Sequence, residues 1–348
     1  MKRSNIIIGL LSLLALFAVA AAFKVAHSVL IPFMIAWLLS YICGPVVNYL
    51  VYKKAPLGLS VLAVLVLVLF VCYMGGVFLG GRVRAVLAES PRYIAQLNTI
   101  YQDATTSLDL PENFLANVNW TEQLGPKVAA MSVSLASVMG NFLGKLTLVL
   151  IFLVFMLLGK PYFKYKVAAA FPPERASQFA DMTTSISKQI GQYLVVKVAI
   201  SGTTGVLVWL GLTLLKVEFA LTWGAVAFFL NFIPSIGSII AAIPPILLAI
   251  VQFYPSVWMP VLTGVMLLLI QMTMGNVIEP KIMGDSLNLS PVVILLSLIF
   301  FGWMWGLVGA LLSVPIAAAI KIVCENVDAL QPISILMGSG KSLMKENE

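Results

Sequence analysis

The chain has 348 residues, 61% of them hydrophobic and only 10% charged, with a mean hydropathy of +1.02 and a net charge of +7. A soluble globular chain is nearer half apolar and a quarter charged, so this composition points to an all-α, polytopic membrane protein. The positive charge does not indicate nucleic acid, since no basic patch carries interleaved aromatics; Lys and Arg gather instead in loops expected to stay in the cytoplasm. Cys43, Cys72 and Cys324 lack metal-ligand spacing, and the single histidine, His27, leaves no material for zinc chemistry or a His-based triad. No cofactor is expected.

The N-terminal "MKRSNIIIGLLSLLALFAVAAAF" imitates a signal peptide, but its apolar stretch, 6–23, is long enough to span and is read as a retained first helix. Further candidate spans are 29–51, 57–81, 141–159, 192–215, 219–252, 256–274 and 291–323, which gives about seven to eight membrane segments. Segment 82–140 is the stretch most like soluble protein. Tyr93, Leu97, Ile100 or Tyr101, Ala104 and Leu108 recur at helical spacing, which predicts amphipathic helices at the outer surface or against neighbouring subunits. Asn119–Thr121 is a formal glycosylation sequon, with meaning only on a eukaryotic secretory route. Segment 160–190 is basic with aromatics, and its double proline predicts a helix starting at about Glu174. Its basic half suits anionic headgroups on the cytoplasmic side, or a solvated inner loop. With the N-terminus inside, thirteen basic residues fall inside and seven outside, and Lys197 lies within a span.

Segments 219–252 and 291–323 are too long for one upright span, and both contain helix breakers. The first lies in a 60-residue uncharged run, Phe219 to Ile278, and carries "NFIPSIGSIIAAIPP". Proline removes a backbone donor, and freed carbonyls survive at membrane depth only where protein or a water-filled cavity surrounds them. The segment therefore predicts a broken helix or hairpin with its tip near Asn231–Gly237, including Pro234, and a return arm bent by Pro244 and Pro245. The second predicts another hairpin, with Gly302, Trp303, Trp305 and Gly306 at the tip. Entering from opposite sides around a central site, the two would suit alternating access.

Polar residues in this region are the candidate substrate or ion ligands. After the uncharged run, "QMTMGNVIEPKIMGDSLNLSP" brings Glu279, Lys281 and Asp285 close together, with Gln271 and Asn276 on the approach. They can form a cytoplasmic turn with a local ion pair, or a gate or coupling-ion site. Lys197 can snorkel to the interface, or face the bundle interior beside Gln192 or a carboxylate and bind an anionic or polyhydroxylated substrate.

"QYLVVKVAISG", "NFIPSIGSIIAAIPP" and "VIEPKIMGDSLNLSPVVILLSLIFFGWMWGLVGALLSVPIAAAIKI" together resemble the AI-2E family of bacterial inner-membrane transporters, most strongly over 185–323. The resemblance implies export of the quorum-sensing signal autoinducer-2, or sodium(lithium)/proton antiport as assigned to some members. Lys197 stands where many members are expected to carry glutamine, and looks like the branch associated with autoinducer-2. Asp285-Ser286 is often basic in relatives. Asn231, Pro234, Gly237, Glu279, Pro280, Lys281 and Gly284 carry over most directly.

The expected organisation is a three-helix membrane region (1–81), an extracytoplasmic amphipathic segment (82–140), a fourth span with the basic segment (141–191), a transport core (192–323) and a cytoplasmic tail (324–348). The expected partners are a small-molecule substrate, protons or sodium, the lipid bilayer and further copies of the chain, with both termini cytoplasmic in a bacterial inner membrane. A non-transporting scaffold is the third alternative. "GSGKS" at 338–342 lacks the first glycine of a phosphate-binding loop, and "IMGD" lacks the first glycine of an intramembrane aspartyl protease, so no enzyme is expected.

Overall fold

The computed structural model describes residues 11, 14–15, 18–107, 120–234, 236–283 and 287–339. Regular structure among them is helical, apart from one isolated bridge between Leu289 and Gly338. Lipid offers no partner to a backbone N–H or C=O, so long apolar runs close their hydrogen bonds internally as helices. Residues 18–25 belong to α1. The helices that follow are α2 (His27–Tyr52), α3 (Leu57–Ser107), α4 (Trp120–Ala170), α5 (Pro173–Leu214), α6 (Ala220–Leu230), α7 (Ile236–Gln252) and α8 (Trp258–Gln271). A π-helical turn, Met272–Ile278, leads into α9 (Glu279–Met283), and α10 (Pro291–Glu325) and α11 (Gln331–Met337) complete the order. Among the described residues six helices are long and apolar enough to cross a membrane, and α6 and α7 are shorter apolar helices. This is the polytopic helical architecture expected from composition.

Contacts divide the chain into two compact units. One holds the described parts of 1–66, 144–195 and 285–348; the other holds those of 67–143 and 196–284. Helices α3, α4 and α5 each contribute to both. Proline begins α5 at Pro173, where a missing N–H costs nothing.

In the second unit, α6 and α7 pack side by side as a helical hairpin. With 11 residues, α6 reaches roughly 16 Å, about half the hydrocarbon thickness. It stops where Pro234 cannot donate. Ile233 N–H turns back to the Leu230 carbonyl (2.9 Å), and Gly237 N–H takes the Ile233 carbonyl (3.2 Å). A Cβ on Gly237 would lie 1.8 Å from the Leu230 oxygen, so only glycine fits this reversal. Val208, Leu212, Val217, Ala227, Ala241, Ala249 and Leu267 form the core between α5 and the hairpin.

In the first unit, α10 reverses at Gly306, whose φ of 64° and ψ of −143° lie outside any helix. A Cβ on Gly309 would come within 1.9 Å of the Phe301 carbonyl oxygen. In a straight helix eight residues separate positions by roughly 12 Å, so the arms before and after Gly306 run side by side. Both overlong segments thus fold back on themselves. Helix α2 packs on α10, with Phe33 meeting Phe152 of α4 edge-on. Helix α11 is tied to the start of α10, where Ser290 N–H donates to the Met337 carbonyl (2.8 Å).

The close approach at Gly309 sets an unequal response to two glycine substitutions. Gly309→Ala collides with backbone and is expected to cost on the order of 1–3 kcal/mol or more, read as a lowered thermal midpoint in detergent. Gly302→Ala, whose Cβ would stand 3.9 Å from Ala310 Cβ, is expected to leave the midpoint within a degree or two of wild type, at roughly 0.5 kcal/mol or less.

Candidate functional site

The site of the second unit is built on one face of α5. Lys197, Ser201 and Thr204 stand at i, i+4 and i+7, so all three point the same way. All are buried: Lys197 is 2% exposed, Ser201 0% and Thr204 2%. The ammonium group of Lys197 donates to the carboxylate of Glu279 in a close ion pair. One turn along, Ser201 Oγ accepts a hydrogen bond from Asn231 Nδ2 (3.1 Å), which fixes the tip of the α6–α7 hairpin to α5. Thr204 donates to the Ile200 carbonyl (2.9 Å), which keeps its oxygen lone pairs facing outward from α5.

Glu279 reaches Lys197 because the helix before it is wound unusually. Leu267, Gln271 and Met274 follow the ordinary helical stagger, with Leu267 and Met274 buried and Gln271 half-buried. Ordinary winding would next turn Ile278 inward. Instead, Glu279 N–H bonds the Met274 carbonyl five residues back, and the extra residue of the π turn brings Glu279 round. Pro280 supplies a reason: its ring cannot sit against the carbonyl of Asn276 in a regular helix, and it has no N–H to give.

Thr204, Asn231, Ser238 and Gln271 line a cavity of about 20 Å³, closed by Val208, Ala227, Ala241 and Leu267. That volume holds about one water molecule. A metabolite enters only if the hairpin parts from α5 and α8. The ion pair is asymmetric: the Lys197 side chain is 2% exposed and that of Glu279 22%. Glu279 is therefore the less enclosed member of the pair.

The structure thus brings together Lys197, Asn231, Gln271 and Glu279, and uses Pro234 and Gly237 to shape the turn. Of the two readings of Lys197, it takes the one that faces inward to a carboxylate. Gln192 is exposed on α5, and its side chain lies on a different face from Lys197. Asn276 and Lys281 are exposed, and Glu279 pairs with Lys197 rather than with the neighbouring Lys281. Asp285 lies outside the described residues. Ser201, Thr204 and Ser238 escaped the sequence reading. Ser201 and Thr204 left a signal as small hydroxyls spaced four and seven residues after Lys197, but uncharged hydroxyls in an apolar helix, Ser238 among them, are common enough to pass unnoticed.

The second predicted tip belongs to the first unit and is held differently. Trp305 is buried and donates its Nε1–H to the Phe23 carbonyl (3.2 Å), at the bend between α1 and α2. Lys24 Nζ sits 3.9 Å above the ring of Trp303, which remains 62% exposed. Gly302 stands just before these two tryptophans and Gly306 just after them, at the reversal itself. In the other unit, the base of the α6–α7 hairpin is braced by Glu218, which accepts from Tyr93 and pairs with Arg92 at 3.2 Å. Gln252 closes the same base, accepting from Glu218 N–H (2.9 Å) and donating to the Lys216 carbonyl (2.8 Å).

Comparison with known proteins adds family information to this geometry. Residues 10–329 match the AI-2E family of transporters. The AI-2 transport protein TqsA of Escherichia coli K12 is 34% identical over 319 residues, covering 90% of each chain. A Borreliella burgdorferi protein with a provisional name as a transport protein is 33% identical over 322 residues, covering 92% of this chain and 88% of its own. A Haemophilus influenzae protein, provisionally named in the same way, is 33% identical over 338 residues, covering 94% and 95%.

Breaking the ion pair from either side is not equivalent. Glu279→Gln leaves a fully buried ammonium without its counter-charge, and is expected to lower stability by about 3–5 kcal/mol. Lys197→Met fills the same space with an apolar chain and leaves the less enclosed carboxylate, for a loss of about 1–2 kcal/mol. Thermal unfolding of the two purified variants, ranked against wild type, checks the order.

Proposed function

The chain belongs to the AI-2E transporter family, and we propose that it is a secondary transporter that exports a small polar metabolite, with autoinducer-2 as the foremost candidate. The observation that carries this reading is a single buried ion pair, Lys197–Glu279, on the same α5 face as the hydroxyl that holds the broken hairpin tip. In the closed arrangement Asn231 bonds Ser201, and the space beside it admits about one water. A polyhydroxylated ligand can replace those internal bonds one for one: Asn231 offers a donor and an acceptor, and Ser201, Thr204 and Ser238 offer hydroxyls. Lys197 supplies charge for an anionic or strongly polar group once Glu279 releases it. Parting of the pair as the hairpin moves would free the ammonium and leave the Glu279 carboxylate open to a coupling ion. The name of the Escherichia coli relative supports autoinducer-2 as the ligand to try first.

The protein is a multi-pass membrane protein of a bacterial transporter family. We place it in the inner membrane with both termini in the cytoplasm, which follows the excess of basic residues assigned to that side. Self-association is part of the same proposal and draws on the long polar continuations of α3 and α4. A second reading, sodium(lithium)/proton antiport, is favoured by one observation: a 20 Å³ space, to which Thr204, Asn231, Ser238 and Gln271 bring side-chain oxygens within an otherwise apolar lining, is nearer the size of a stripped cation than of a metabolite.

Proteoliposomes loaded with labelled autoinducer-2, with and without proton or sodium gradients, separate these readings. Gradient-dependent movement of the label is expected. Asn231→Ala and Pro234→Ala are expected to slow it roughly tenfold or more at equal insertion. Wild-type rates in both variants would remove the site assignment. If no label moves while added sodium collapses a pre-formed pH gradient, the antiport reading replaces export.

A further inference from the structure

The first unit contains a cavity that the transport reading does not use. It measures about 750 Å³ and lies between α2, α4 and the start of α5. Lys160, Lys164 and Lys166 of α4 and Lys188 of α5 line it, and no acidic side chain does. None of the four forms an ion pair among the described residues. The four ammonium groups are exposed, and together they give this space a positive potential that attracts an anion.

Lys160 shows that the charge is directed into this space. Its Nζ lies 5.8 Å from the ring centroid of Tyr41, and only 3.0 Å from where a Cβ on Gly44 would stand. Glycine at this point of α2 leaves room for the ammonium. The rest of the lining is mixed. Ser40, Thr183 and Ser187 supply hydroxyls, while Trp37, Met156 and Phe163 supply apolar surface. An inorganic ion would leave most of that surface bare, whereas an anionic amphiphile matches both parts. The position agrees: Lys160 stands where the apolar stretch of α4 gives way to "KPYFKYK", the kind of boundary at which headgroups meet a membrane helix.

We propose that this cavity binds the phosphate headgroup of an anionic membrane lipid of the phosphatidylglycerol class, with Lys160 and Lys188 as its principal charge partners. In the topology proposed above it opens to the cytoplasmic leaflet. The lipid holds α2, α4 and α5 together at one end and is separate from the Lys197–Glu279 site, so its test does not depend on transport.

The test is native mass spectrometry of the full-length protein in detergent, titrated with dioleoylphosphatidylglycerol or, as control, dioleoylphosphatidylcholine. The anionic lipid is expected to be retained preferentially. Lys160→Gln/Lys188→Gln is expected to weaken retention roughly tenfold or more. Gly44→Ala, which pushes the Lys160 ammonium aside, is expected to weaken it less. Lys53→Gln/Lys54→Gln, which removes two lysines that do not line the cavity, is expected to leave it unchanged. Thermal midpoints without lipid establish that the variants are folded. If the first pair fails to fold, Lys164→Gln/Lys166→Gln supplies the same reading. Equal retention of both lipids, or retention unchanged in every cavity variant, overturns the proposal. Displacement of the lipid by millimolar glycerol 1-phosphate, with an equal gain in thermal midpoint, supports a phosphate site but reassigns its occupant to a soluble phosphate ester.

Discussion

A backbone group without a hydrogen-bond partner is costly in hydrocarbon, and this cost shapes every irregular feature of the protein. The long helices satisfy it internally. Among the described residues, at Asn231–Pro234 and at Gly306 the chain folds the following arm directly against the preceding one. Both reversals are so tight that the returning arm presents a glycine to a backbone carbonyl, Gly237 to Leu230 and Gly309 to Phe301. Such turns are rigid in themselves. Their relation to the neighbouring helices rests on apolar packing, such as the core shared by α5 and the α6–α7 hairpin, together with a few polar contacts.

The tips differ in what holds them. Asn231 is tied by one neutral hydrogen bond to Ser201, next to a charged pair. A neutral hydrogen bond contributes only about 1 kcal/mol net, so this contact is a small part of what holds the hairpin beside the apolar core it shares with α5. The base of the same hairpin is anchored by Glu218 with Arg92 and Tyr93, which leaves a firm root and a lightly held end. The Gly306 turn is secured by Trp305 on the Phe23 carbonyl and by Lys24 over Trp303, both from the bend that joins α1 to α2. Lys24 and Phe23 thus belong to the working parts of that hairpin, although they lie 282 residues or so away along the chain.

Charge is distributed with the same economy. Two buried lysines and one exposed lysine have defined surroundings. Lys197 has Glu279, and Lys321 has Glu325 one turn along α10. Lys160 has the ring of Tyr41 and an open cavity. The first two pairings neutralise charge within the chain. The third does not, and this is the difference that separates a structural lysine from one available to an external anion.

Much of this was legible in the chain itself. Hydropathy and length determine the helical membrane architecture, because a bilayer permits few alternatives. The excess length and the prolines and glycines of 219–252 and 291–323 mark both reversals, because those residues cannot sustain a helix. Lys197, Asn231 and Glu279 stand out as polar groups in apolar surroundings. What the sequence could not decide is which of them meet. Ordinary helical spacing would point Ile278, not Glu279, toward the interior. The π turn at Met272–Ile278 reverses that choice, and it forms from the demands of Pro280 and the packing of the whole segment. The exposure of Gln192, Asn276 and Lys281, and the burial of Ser201 and Thr204, likewise depend on which helix face a neighbour covers. Local preference specifies where a helix ends, because the cause lies within a few residues; partnership across 82 residues, as between Lys197 and Glu279, exists only once the tertiary packing has brought both faces together.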